Sequence, residues 1–202
     1  VKLNNRGVRS ATTFGSISAL GEMRFIKKQT ASSSANISFI HGTSDVVLDG
    51  TYKEYIFLLN NIHPASTGQM NVFFRDGGTN FDATVTSSNF SAYHAEDDSL
   101  TSLYYEGDAD VAQGSTVPLI RNPGADSADS SAVVIMYLFN PSSTTFVKHF
   151  LITDSYVYGD SYGAFSDRKA GYINTATAID GVKFQMASGN IDAGTIKLYG
   201  IA

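Results

Sequence analysis

The chain has 202 residues, 43% of them apolar, and carries 14 Lys and Arg against 19 Asp and Glu for a formal charge of −5. That suffices for one packed domain burying roughly 70% of its unfolded surface. The lack of cysteine excludes disulfide frameworks, thiolate zinc sites and cysteine nucleophiles. No apolar run nears the ~20 residues that span a bilayer, and the first residues hold no apolar block of signal-peptide type.

Charge is unevenly placed. Residues 1–28 carry Lys2, Arg6, Arg9, Arg24, Lys27 and Lys28 against Glu22 alone, whereas the rest hold eight bases and eighteen acids. Such asymmetry marks a tail that seeks an anionic partner. The acidic body argues against nucleic acid, whose phosphates need a cationic surface. Residues 1–34 lack helical or strand periodicity, Gly7, Gly15 and Gly21 punctuate them, and 30–34 (TASSS) reads as a flexible hinge. Extended, 28 residues reach about 90 Å. The reading is an anchoring arm over 1–34 and a β-domain over 35–202. Arg6, Arg9, Arg24, Lys27 and Lys28 supply the arm's charge, and Leu3, Val8, Phe14 and Leu20 its apolar anchors. The arm must be a tether for this to hold; a strand of its own domain would undo it.

From Asn36 the texture changes to short runs of Val, Ile, Phe, Tyr and Thr between Gly, Asn, Asp, Pro and Ser. Ile37 and Phe39 alternate with polar neighbours, 55–59 is a compact buried run, and Met70, Val72 and Phe74 alternate along 70–75. Asp76-Gly77-Gly78 reads as a hairpin turn. Strands follow at 81–85, 90–94, 103–105, 132–139 (closed by Asn140-Pro141), 145–153, 171–174, 182–186 and 195–201. Only 113–131 and 155–165 read as long connections. The apolar period is two, not 3.6. The expectation is all-β, an antiparallel β-sandwich of jelly-roll type, with ten to twelve strands and an extended N-terminal arm.

Few constellations suggest chemistry. His41, His63, His94 and His149 are too scattered for a metal motif and read as hydrogen-bonded or surface groups. Eight acids between Glu96 and Asp129 face one base, Arg121. They offer oxygen ligands for calcium, but Val111 breaks the EF-hand spacing after Asp108 and Asp110, so a solvated acidic edge, or a surface receiving a basic arm, is the reading. No Trp platform accompanies a carboxylate pair. The chain reads as a non-enzyme without cofactor or metal. The loop 155–165 (SYVYGDSYGAF) has the mix of adaptable contact surfaces, making Tyr156, Tyr158 and Tyr162, with Asp97 and Asp98, a ligand or subunit-interface candidate. Asn36-Ile37-Ser38 and Asn89-Phe90-Ser91 are formal glycosylation triplets.

The arm 3–16 (LNNRGVRSATTFGS) resembles the N-terminus of small virion proteins of marine tailed phages, cyanophages among them. Similar stretches follow at 52–55 (YKEY), 61–65 (NIHPA), 92–94 (AYH), 138–144 (LFNPSST), 147–150 (VKHF), 170–175 (AGYINT), 188–190 (SGN) and 194–201 (GTIKLYGI). The resemblance spans nearly the whole chain and rests on strand and turn motifs, so it carries over no functional residue. It implies a particle component located at the virion surface: a capsid-decoration or head-fibre protein whose arm grips the major capsid protein or another virion protein. Homotrimers are the favoured oligomer. The alternative is a tail-fibre or tail-tip module that binds host-surface glycan through the tyrosine loop and Asp97.

Overall fold

The computed structural model describes residues 22–125, 130–159 and 162–201. Side chains on a strand alternate between faces, so an apolar period of two buries one face. Ala132–Phe139 is apolar throughout, yet its burial still alternates, with Ala132, Val134, Met136 and Leu138 inside while their neighbours face outward. The strands are β1 (Met23–Ser34), β2 (Ile37–Ile40), β3 (Glu54–Pro64), β4 (Met70–Arg75), β5 (Val85–Ala95), β6 (Thr101–Tyr105), β7 (Val111–Gly114), β8 (Val117–Ile120), β9 (Ala132–Phe139), β10 (Lys148–Tyr158), β11 (Gly163–Ile173), β12 (Gly181–Met186) and β13 (Ile191–Ile201). All pairings are antiparallel, and the described residues contain no helix.

The strands form a nine-stranded sheet, β1-β13-β3-β9-β10-β11-β5-β6 with β7 also on β5, and a four-stranded sheet, β2-β12-β4-β8. Pairing is nested. The first strand lies beside the last and the second beside the last but one; then β3 and β4 take the free sides of β13 and β12, and β9 and β8 close the two rows. Two insertions, β5–β7 and β10–β11, lengthen the large sheet beyond β9.

Aromatic contacts join the sheets. Phe57 on β3 meets Phe39 on β2 at 5.4 Å between centroids and Phe184 on β12 at 5.5 Å, while Phe74 on β4 meets Phe150 on β10 at 5.6 Å. All five rings are fully buried. A double bulge bends the sheet where Asn61, at φ +50°, opposes Gly194, at φ +122°. A Cβ at Gly194 would lie 2.7 Å from the Asn61 carbonyl oxygen, so glycine is required there.

Several expectations are corrected. The arm does not run to residue 34: Met23–Ser34 is a sheet strand, paired with β13 from Met23↔Ile201 to Ser34↔Ile191, and 30–34 is no hinge. The boundary at 34/35 therefore falls between two strands of one unit, and the tether reading fails for residues 22–34. Residues 1–21 lie outside the described residues. Asp76-Gly77-Gly78 does not close a hairpin, because β4 and β5 belong to different sheets, and 81–84 is not strand. Most of 155–165 is strand, closed by a turn at Gly159. The connection 113–131 contains β8, whose four residues are all buried.

Candidate functional site

Of the expected anchors, Leu3, Arg6, Val8, Arg9, Phe14 and Leu20 lie outside the described residues. Arg24, Lys27 and Lys28 stand on β1. Arg24 Nη2 lies 3.0 Å from Glu22 Oε2, and Lys28 sits directly opposite Lys197 of β13. Like charges opposite one another on paired strands repel, so Lys28 and Lys197 concentrate positive charge at this sheet edge.

The tyrosine group divides. Tyr156 points inward and is buried; burial, with the Asp167 charge beside it, pushes its hydroxyl pKa up. It is a core residue, not a contact residue. Tyr158 is half-buried and stacks on Phe165 at 4.4 Å, with Tyr93 on Phe165 at 4.8 Å. Tyr162 is exposed, and its carbonyl accepts a hydrogen bond from the Glu96 N–H at 3.2 Å. That bond brings the β5–β6 turn, with exposed Asp97 and Asp98, beside the β10–β11 turn. Tyr162, Asp97 and Asp98 thus share one end of the sheet, next to an open pocket of about 470 Å³ lined by His94, Glu96, Val133, Ser155 and Ala164 among others. Hydrogen bonds from the Ser99 side chain and backbone hold the Asp97 carboxylate below the usual range.

The histidines occupy separate places. His41 Nδ1 accepts from the Leu48 N–H at 3.2 Å, His94 Nε2 lies 2.9 Å from Asp98 Oδ1, His63 Nδ1 lies 3.9 Å from Asp192, and His149 leans on the Tyr172 ring. Among the described residues no group of three His, Asp or Glu could hold a metal ion, and no helix is long and apolar enough to cross a membrane. Asn89 is fully buried, which removes its triplet as a glycosylation acceptor; Asn36 is exposed.

The sequence reading missed a buried charge network. Lys169 Nζ lies 3.1 Å from Asp167 Oδ2, 3.3 Å from Asp154 Oδ2 and 3.3 Å from the Leu119 carbonyl. Arg121 Nε donates to Asp167 Oδ2 at 3.2 Å and its Nη1 to Glu106, which also accepts from the Tyr104 hydroxyl at 3.0 Å. Ser91 Oγ donates to Asp167 Oδ1 and the Asp167 N–H to Asp154 Oδ1, each at 2.6 Å. Burial raises Asp154 to about 7, the Asp167 charge adding to it against Lys169. Burial pushes on Asp167 too, but Lys169, Ser91 and Arg121 outweigh it and hold that carboxyl below its ordinary value. These groups could pass for an acid–base site. Asp154, Asp167 and Lys169 are buried between the sheets, while Arg121 and Tyr104 are partly exposed, and together they fasten β8 and the Arg121 segment to the large sheet. The sequence signal was present: Asp154 falls between inward Ile152 and Tyr156, and Asp167 and Lys169 follow inward Phe165 at steps of two.

The outward face of the large sheet carries an apolar row beside a mixed one. Directly paired residues share a face, which aligns Phe25, Tyr199, Ile56, Tyr137, Leu151 and Ala170 in one row. The next row is mixed and holds Lys28, Lys197, Leu58, Ile135, Thr153, Arg168, Phe90 and Tyr105. A pocket of about 320 Å³ opens there between Phe90 and Tyr137, floored by Leu151 and Ala170 with Arg168 alongside. No family model, curated protein or solved structure matches this chain.

Proposed function

We propose that the chain is a structural component of a phage particle, a head-decoration or head-fibre protein displaying a β-sandwich of jelly-roll type. The observation that carries the reading is the nested strand order, β1-β13-β3-β9 over β2-β12-β4-β8. That order supports the reading of a jelly roll, an architecture of viral capsid and lectin domains. A fold does not fix a function, so the surface supplies further support. Met23, Phe25, Phe90, Leu103, Tyr105, Val133, Ile135 and Leu151, eight of the twelve exposed large apolar residues among those described, lie on the outward face of the large sheet. Exposed apolar side chains gathered on one face support a surface covered by another protein, here the major capsid protein or another virion protein. With Met23–Ser34 built into the sheet, anchoring falls to this face and to residues 1–21, which carry Lys2, Arg6 and Arg9 and no acid. Gold labelling of intact particles tests the reading: label spread over the head is expected, and particles free of the protein overturn it.

A second reading, a tail module binding host glycan, is favoured by the convergence of Tyr162, Asp97 and Asp98 beside the 470 Å³ pocket. Label confined to the tail, with glycan-array binding lost in Tyr162→Ala, would select it.

A further inference from the structure

The large sheet is an open path whose two ends differ in charge. At one end β1 pairs only with β13 among the described residues and presents Lys27 and Lys28, with Lys197 on the strand behind. At the other end β6 and β7 border β5, and residues 95–114 hold six acids and neither lysine nor arginine. Glu106 of these is buried against Arg121, while Glu96, Asp97, Asp98 and Asp108 are exposed. The Tyr105 hydroxyl holds Asp110 beside β6 at 2.6 Å. Both ends also expose apolar side chains: Met23 (48%) and Phe25 (59%) at the first, Leu103 (77%) and Tyr105 (51%) at the second.

We infer that copies of this chain associate head to tail, the cationic β1 edge of one against the β6 edge of the next, whose flanking turns 96–98 and 106–110 carry the acids. Lysines on an edge strand block pairing with a like edge, so two β1 strands repel; the acidic edge of a second copy meets the same lysines as counter-charges. Within one molecule the two edges are not paired with each other. The contact is heterologous, so it closes into a ring where the rotation allows and extends as a filament where it does not. The expected trimer is one such closure. The inference rests on edge charge and exposure and stands apart from the particle reading.

Sedimentation of the full chain over a range of concentrations tests it. At low salt the mass should rise above the monomer and fall back at about 0.5 M salt, where charges are screened within a few ångströms. Lys27→Glu with Lys28→Glu should raise the dissociation constant at least about tenfold, as should Asp97→Lys with Asp98→Lys. Mixing the two variants should restore assembly, because the reversed edges complement one another. Leu103→Asp attacks the same contact should the β1 variant lose its strand spectrum. A chain monomeric at every concentration overturns the inference. So does association that survives both charge reversals, or that only Ile135→Asp, on the sheet's outward face, abolishes.

Discussion

The two halves of the large sheet have the same antiparallel pairing but bury different chemistry. Beneath β13, β3 and β9 the inward positions are Leu198, Ile196, Phe57, Leu59, Val134 and Met136, all apolar. Beneath β10, β11 and β5 they include Asp154, Asp167, Lys169, Ser87, Asn89 and Ser91. The nested body is held by apolar burial, which is non-directional and scales with area. The inserted strands are held by partners that must each be present, since a buried charge stripped of its counter-charge costs more than the pair contributes. One half is robust to polar detail, and the other depends on it.

The widest break in that contrast should come from the apolar half. Phe57→Ala should lose about 3–5 kcal/mol in urea unfolding; a loss below 1 kcal/mol would mean that Phe57 is not central. In the polar half Lys169→Met should cost about 3 kcal/mol by leaving Asp154 and Asp167 without their ammonium. Adding Asp154→Asn to that variant should recover part of the loss, which a purely packing role for Lys169 would not allow.

The pH dependence sharpens the contrast. Asp154 is raised from 3.8 to about 7 in the folded chain, so the folded state holds a proton that the unfolded state has released. Stability from this group is complete below the unfolded value and is lost as pH rises towards 7. Asp167, held low, acts oppositely and loses its contribution only as pH falls below about 4. The melting temperature should therefore fall between pH 5 and pH 8, and Asp154→Asn should flatten that slope. An unchanged slope would assign it to other groups.

A smaller effect is expected at Asn89, whose amide nitrogen and oxygen are buried without a hydrogen-bond partner among the described residues. Asn89→Ala should be neutral or slightly stabilising, within about 1 kcal/mol, because it removes an uncompensated polar group. The smallest belongs to the exposed pair of His94 and Asp98: Asp98→Asn should leave the melting temperature unmoved.

Much of the strand set was legible in the chain. The runs at β4 and β12 alternate, β9 reads as an unbroken apolar run, and Asn140-Pro141 ends it where a backbone donor is missing and φ turns positive at Asn140. β1 was not legible. It buries only Ala31, so it shows no period, and its register comes from β13, more than 150 residues away. The 155–165 stretch misled for the opposite reason: its Tyr, Gly and Ser composition reads as loop, yet Tyr156 and Phe165 are inward strand positions opposite one another. Of the site candidates, Asp97 and Asp98 are exposed, and the Glu96 backbone bond brings Tyr162 beside them.

Composition and period-two patterning alone determined that this chain is all-β, acidic in its body and free of thiol chemistry, because local side-chain alternation selects strands before any contact forms. The tertiary structure alone decided that Met23–Ser34 is an edge strand, that Asp154, Asp167, Lys169 and Arg121 meet inside, and that the ends of one sheet carry opposite charge. Strand pairing joins residues far apart in the chain, and no local pattern encodes which distant edge will accept a strand.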